Sequence, residues 1–137
     1  MNKADLQALA QAKIDDAVTL LMGGRFSNAF YLAGYSLEFA LKACIAKQFS
    51  SDDIPDFKFV KDIYTHDLSA LVKLAGLKAL LDQETKSNTD FGANWGIVSE
   101  WSEKSRYESN TAGDAQILIT AITDPKHGVL SWIKKHW

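Results

Sequence analysis

Hydrophobic and polar positions over the first 49 residues follow the period of two α-helices. Apolar residues recur at three-and-four spacing from Leu6 to Leu21, which predicts a helix over about Lys3–Met22 that ends at Gly23 and Gly24. A second helix is predicted to continue to about Phe49, with Ser27 or Asn28 as its cap. It is apolar or small on nearly every side, so we expect it at the centre of a helical bundle.

The rest of the chain predicts shorter helices separated by turns. Residues 50–64 are typical of a connection, because Ser and Asp cluster there and Pro55 blocks helix continuation. The pattern then predicts a helix capped by Thr65 and ended by Gly76, a short helical piece at 77–85, a loop or helix entry at 86–94, a helix over about 94–109, a helix capped by Asp114, and a last short helix after Asp124 and Pro125. The prediction is one all-α domain over 1–137, an up-down four-helix bundle with one or two additional short helices.

Composition narrows the possible functions without selecting one. The net charge of -2 argues against a general electrostatic grip on nucleic acid but leaves room for a local basic site. Cys44 is the single cysteine, which excludes an internal disulfide and a zinc ribbon and favours a small buried hydrophobe. The amino-terminal residues lack the apolar block of a signal peptide, and no run of apolar residues is expected to span a bilayer. We therefore expect a cytoplasmic protein without a membrane partner.

Few residues remain that could carry chemistry. The three histidines, His66, His127 and His136, are too dispersed to predict a metal site, and the sequence has neither a phosphate-binding glycine loop nor a nucleophile elbow. Glu38 and Lys42 stand four residues apart, as a structural helix pair or as part of a site. Besides Arg25, we single out His66–Asp67 and Arg106.

Arg106 is open to two interpretations. It could form a salt bridge, for example with Glu103, or it could bind a phosphate through its planar guanidinium group. The tryptophans of the same segment, Trp95 and Trp101, could stack on bases, although their helical spacing favours a place in the core.

Four segments resemble the HEPN family of small all-α prokaryotic domains, in the family's order. They are GRFSNAFYLAGYSLEFALKACI, with its Glu and Lys one turn apart; THDLSALVKLAG; WSEKSRYES, with its Arg-Tyr pair; and GVLSWIKKHW. The resemblance implies a four- or five-helix bundle, frequent homodimers, and binding of nucleotides or RNA. Many members are ribonuclease toxins paired with a nucleotidyltransferase antitoxin.

The resemblance also points to the residues that would bind a ligand. Nuclease members of the family have a histidine five positions after the arginine, whereas this chain has Thr111 five positions after Arg106. Threonine cannot shuttle protons near neutral pH, so we expect no ribonuclease activity and no catalytic residue. We expect no metal and no cofactor either, because the histidines are dispersed and the phosphate-binding glycine loops are absent. The ligand-binding candidates are Arg106, Tyr107, Glu38, Lys42 and His66. The alternatives are a divergent ribonuclease toxin, in which His66 supplies the imidazole, and a purely structural module that binds a nucleotidyltransferase or another helical partner.

Overall fold

The computed structural model describes all 137 residues and contains helices without strands, which confirms the all-α class. There are eight α-helices and one 3-10 helix. In chain order they are α1 Lys3–Met22, α2 Phe26–Ala46, α3 Phe57–Ile63, α4 Leu68–Leu74, α5 Lys78–Ser87, α6 Thr89–Ser99, the 3-10 helix Glu103–Tyr107, α7 Ala112–Thr123 and α8 Val129–Lys134. The first helix therefore has the predicted bounds.

Helix α2 lies at the centre of the fold. It contacts α1, α4, α7, α8 and the 3-10 helix, and its largest interface is with α1. Eleven of its 21 residues are buried, six of them Ala, Gly or Ser, because small side chains let the surrounding helices approach closely. A core of 27 buried hydrophobic residues surrounds it, with members on every α-helix except α3.

Helix α2 is also long and apolar enough to span a membrane, contrary to the prediction that no such run exists. Its most apolar 18-residue window has a mean hydropathy of 1.2, and 61% of that window is buried inside the fold. The buried helix of a globular core meets the same criterion, because apolar side chains suit a protein interior as well as a bilayer.

Several predicted helix caps are wrong in detail. Helix α2 begins at Phe26 without a side-chain cap, and Ser27 instead accepts a hydrogen bond from the backbone N–H of Asn110, 83 residues away. The cap of α4 is Asp67, and Thr65 supports it by accepting from the Asp67 N–H. Sequence spacing does not distinguish neighbouring Ser, Thr and Asp residues, since each can accept from a backbone N–H.

The later caps differ in the same way. Thr111 caps α7, with Asp114 three residues on completing a capping box. Asp124 ends α7, and its carboxylate accepts from the N–H groups of Lys126 and His127, both at 2.8 Å, so it caps a turn at 125–127 rather than a helix. The last helix consequently begins at Val129.

The predicted helix over 94–109 does not exist as one element. Asn88 caps α6 through the N–H of Phe91, so α6 starts earlier than expected and ends at Ser99. Trp101 is buried as predicted, and Ser105 is buried too, but they lie on the irregular segment after α6 and on the 3-10 helix rather than on one helical face. Helix α2 likewise ends at Ala46 instead of Phe49, and the connection at 50–64 contains α3.

Candidate functional site

The buried carboxylate of Glu38 is the centre of the candidate site. Glu38 lies in the middle of α2 and its side chain is only 1% exposed. Its Oε1 atom accepts a hydrogen bond from Lys42 Nζ at 2.9 Å, one helical turn along. Burying a charge costs free energy unless the charge is paired. The ion pair with Lys42 therefore offsets part of the cost of burying Glu38 in the core.

His66 is the second partner of Glu38. Its Nδ1 atom lies 2.8 Å from the same Oε1, and its side chain is 41% exposed. The carboxylate therefore orients the imidazole and favours Nδ1 as the protonated nitrogen, with Nε2 facing outward. On the outer side, Nε2 lies 3.8 Å from Oε2 of Glu103, on the 3-10 helix.

Glu103 connects His66 with Arg106. Arg106 NH1 lies 3.7 Å from Oε1 of Glu103, so the salt bridge considered from the sequence is present. The Arg106 guanidinium also stands over the Tyr107 ring, 4.7 Å from its centroid, and donates a hydrogen bond to the Tyr107 hydroxyl. That hydrogen bond raises the pKa of Arg106 further above its ordinary value. The five residues selected from the sequence thus form one chain of contacts through Glu103.

The outer part of this arrangement is open to solvent. The Arg106 side chain is 47% exposed, and Tyr107 is 77% exposed. A cleft of about 420 Å³ lies beside them, lined by His66 and Asp67 on one side and by residues 99–104 on the other. Its charged lining residues are Asp67, Glu100, Glu103 and Lys104, so carboxylates outnumber cations in the cleft, and Arg106 is not among the lining residues.

Aromatic residues support the site from beneath. The ring of Tyr35 lies 6.3 Å from that of His66 and 6.5 Å from that of Trp101. Burial raises the pKa of Tyr35, and the nearby Glu38 carboxylate raises it further. Trp101 packs directly against Gly34 of α2, where any larger residue would overlap the indole. The absence of a side chain at Gly34 therefore sets how closely the segment that carries Arg106 approaches α2.

The region around the contact between Gly34 and Trp101 contains buried polar atoms that form no hydrogen bond within the chain. Four buried side-chain atoms have no partner within the chain: Glu38 Oε2, Trp101 Nε1, Ser105 Oγ and Asn110 Nδ2. The first lies on α2, two lie on the segment that packs against it, and Asn110 follows that segment. Native proteins rarely leave such atoms unpaired, so their concentration here marks a polar region inside the fold.

Thr111 has a structural role. Its hydroxyl accepts a hydrogen bond from the Asp114 N–H at 3.1 Å, and the Asp114 carboxylate accepts from the Thr111 N–H at 3.0 Å. A side chain engaged in a capping box and unable to titrate near neutral pH is not available for proton transfer.

The remaining residues considered from the sequence lie elsewhere. Arg25 is exposed at the start of α2. Cys44 is buried as expected, and burial raises the pKa of its thiol to about 11. His127 lies 3.6 Å from Asp90, and His136 packs against Trp132. No group of three or more His, Cys, Asp or Glu side chains is arranged to hold a metal ion.

Sequence reasoning missed three residues of the site. The sequence pattern predicts Glu103 only as an ion-pair partner of Arg106, although Glu103 joins His66 to Arg106. It singles out neither Tyr35 nor Gly34. Gly34 was detectable in principle, because a glycine within a long helix is unfavourable and suggests close packing.

No family model, no curated protein and no solved structure matches this chain.

Proposed function

We propose that this protein is a HEPN-like domain that binds a nucleotide or single-stranded RNA without cleaving it. The ligand would lie over the exposed pair of Arg106 and Tyr107, with His66 at the edge of the adjoining cleft. Glu38 and Lys42 would not touch the ligand; they hold His66 in place from within α2. The sequence resemblance supports the family, and the all-helical fold is compatible with its bundle.

The observation that carries this proposal is the exposed Arg106–Tyr107 pair. A guanidinium group can bind a phosphate in a bidentate way, and an exposed aromatic ring can stack on a base. The contact with Tyr107 orients Arg106, so less side-chain freedom is lost on binding. The acidic cleft beside it disfavours a long run of phosphates, which favours a short ligand with few phosphate contacts.

The binding proposal is tested with a fluorescein-labelled oligouridine of about 12 nucleotides, within the range that single-strand-binding domains cover. Arg106→Ala should weaken binding about tenfold or more, because charge-assisted hydrogen bonds to phosphate are lost. Tyr107→Ala should weaken it to a similar degree through lost stacking. Fluorescence anisotropy at low salt, repeated with AMP as competitor, gives the affinities.

Lys86→Ala provides the matched control. Lys86 is an exposed cation on α5 with no ion pair. Its replacement by alanine removes one positive charge, as Arg106→Ala does. Equal losses in Lys86→Ala and Arg106→Ala would mean that binding is non-specific, and the proposed site would be rejected. Release of labelled fragments from the oligonucleotide would reject the non-catalytic part.

The geometry of His66 favours a second candidate, the divergent ribonuclease. A histidine oriented by a buried carboxylate, with its second nitrogen facing a cleft, is the arrangement of a general base. His66 Nε2 would take the proton of the ribose 2′-hydroxyl as that oxygen bonds to phosphorus. The bond from phosphorus to the 5′-oxygen would then break, with water protonating the leaving oxygen, while Arg106 stabilises the charge on phosphate.

The two candidates differ in their response to His66→Ala. Under the ribonuclease candidate, wild-type protein cleaves the oligouridine, and both His66→Ala and Arg106→Ala abolish cleavage. Under the binding candidate, nothing is cleaved, and His66→Ala has a smaller effect on affinity than Arg106→Ala. Cleavage that survives in both variants would point to a contaminating nuclease.

The resemblance also leads us to propose a cytoplasmic homodimer with a nucleotidyltransferase-type protein as its partner. Sedimentation of the purified protein tests the dimer. A strict monomer without nucleotide affinity would instead support a structural module.

A further inference from the structure

The surface between α2 and α3 contains an apolar groove whose lining includes neither Arg106 nor Tyr107. Its volume is about 410 Å³, and nine of its ten lining residues are hydrophobic. Phe39, Ile45 and Phe49 form one wall, and Val60, Ile63 and Tyr64 form the other. We call it the α2–α3 groove.

The element beside the groove is incompletely covered. Helix α3 is the one α-helix in the fold without a buried residue. Its apolar stripe, which includes Val60 and Ile63, is only half-buried. An amphipathic helix is stabilised mainly by packing of its apolar face, so a half-covered stripe indicates an additional packing partner.

Exposed hydrophobic residues are concentrated at the same face. Three of the ten large hydrophobic residues that the protein exposes line the groove: Met1, Phe49 and Tyr64. Two more lie on the adjoining segment, because Ile54 lines the neighbouring cavity that shares Phe49 and Phe57 is the first residue of α3. Ile54 is 97% exposed and Phe57 is 79% exposed. A small molecule inside the groove would leave these two side chains in water, whereas a protein segment lying across it would cover them.

The one charged residue that lines the groove, Lys42, is paired with Glu38, so the unpaired charges beside the groove indicate the chemistry of that segment. A second cavity shares Phe49 with the groove and is lined by Asp53 and Asp56, with Asp52 beside them. All three aspartates are exposed, and none forms an ion pair within the chain. An acidic rim beside an apolar groove complements a segment that is apolar on one face and basic on the other. A second copy of this chain would bring a further acidic rim instead.

We propose that the α2–α3 groove binds a basic amphipathic helix of a partner protein. The α2 part of the groove, from Phe39 to Ala46, is about 10 Å long, enough for roughly two turns of such a helix. Apolar side chains at i, i+3, i+4 and i+7 enter the groove, and Lys or Arg residues meet Asp52 and Asp53. Lys42 lines the groove, but in the candidate site it only pairs with Glu38. This proposal does not depend on nucleotide or RNA binding, because the residues proposed to touch that ligand, Arg106, Tyr107 and His66, do not line the groove.

The probe is a fluorescein-labelled peptide of Leu and Lys, roughly 14 residues long and patterned as an amphipathic helix. A Leu/Glu peptide of the same pattern is its counterpart. Anisotropy titrations should show saturable binding of one Leu/Lys peptide per protein chain and at least about tenfold weaker binding of the Leu/Glu peptide. Equal affinities would overturn the proposal, because the acidic rim would then select nothing.

Variants locate the peptide. Ala46→Trp fills the groove and should weaken binding at least about tenfold, since the apolar face of the peptide can no longer enter. Tyr64→Ser, at an exposed position on the rim, provides a second variant that does not test core packing. Circular dichroism confirms that both remain folded. Unchanged affinity in both variants would overturn the proposal.

A matched pair tests the charges. The double change Asp52→Asn and Asp53→Asn should weaken binding about three- to tenfold at low salt, as two exposed ion pairs are lost. The control pair, Asp15→Asn and Asp16→Asn, removes the same charge from an exposed part of α1 and should leave affinity unchanged. Equal losses in both pairs would overturn the charge complementarity. If the wild type self-associates and Ala46→Trp abolishes that self-association, the groove binds a second copy of this chain, and the proposal of a partner helix is overturned.

Discussion

At the scale of single residues, the carboxylate of Glu38 lies within the buried, largely apolar part of α2. Glu38 is surrounded by the buried residues of α2 and is held by Lys42 and His66. The helix spacing of Glu38 and Lys42 indicated a pair from the sequence, because residues four apart share a helix face. The third member, His66, comes from 28 positions away. No local pattern could have placed it, since that contact depends on how α4 packs against α2.

We predict that Glu38→Ala destabilises the protein by about 3 kcal/mol, because it leaves the part-buried Lys42 ammonium without its partner. Urea denaturation followed by circular dichroism measures the free energy of unfolding. Asp82→Ala is the control: it breaks the exposed i, i+4 pair with Lys78 and should cost no more than about 0.5 kcal/mol. Similar costs in the two variants would show that burial of Glu38 does not matter energetically.

At the scale of elements, the sequence predicted helix existence better than helix ends. The first helix was correct at both ends, because its apolar stripe and its closing glycines agree. The helix expected over 94–109 was wrong because the spacing of Trp95, Val98 and Trp101 imitates one continuous face. Trp101 instead lies on the irregular segment after α6, and its indole is buried against Gly34, which leaves space for it. Tertiary contacts of this kind override helical periodicity.

Gly34→Ala tests whether that contact determines local structure. The added methyl group would overlap the Trp101 indole, so we expect a loss of stability of about 1–3 kcal/mol from overpacking. Gly96→Ala is the same substitution within α6, where the new methyl group meets no atom within 4 Å. It should stabilise the protein by about 0.5–1 kcal/mol through helix propensity. Thermal or urea unfolding distinguishes the two, and equal effects would contradict the packing explanation.

At the scale of the whole molecule, we expect the free energy of unfolding to depend on pH through His136, which follows α8. Burial, with nearby Lys47 and Lys135, lowers the pKa of His136 below its ordinary 6.5. As pH falls through that value, the unfolded chain takes up the proton before the folded protein does. His136 therefore contributes stability above about pH 6.5 that is lost on acidification.

The measurement is the urea midpoint between pH 8 and pH 5, in wild type and in His136→Gln. We expect the midpoint to fall toward pH 5 and the fall to be smaller in the variant. Asp124, whose pKa is lowered from 3.8 by hydrogen bonds from the His127 and Lys126 N–H groups, affects stability only at more acid pH. An identical pH dependence in both proteins would exclude His136 as its source.

The sequence by itself determined the helical class, the central place of α2 and the burial of Cys44, because these depend on local periodicity and on average polarity. It also selected Glu38, Lys42, His66, Arg106 and Tyr107 as residues of interest. Only the tertiary structure decided that these five lie together through Glu103, that Thr111 is a helix cap, and that α3 leaves an apolar groove open. Those facts depend on contacts between residues far apart in the chain. The free energy of such contacts cannot be inferred from a local pattern of side chains.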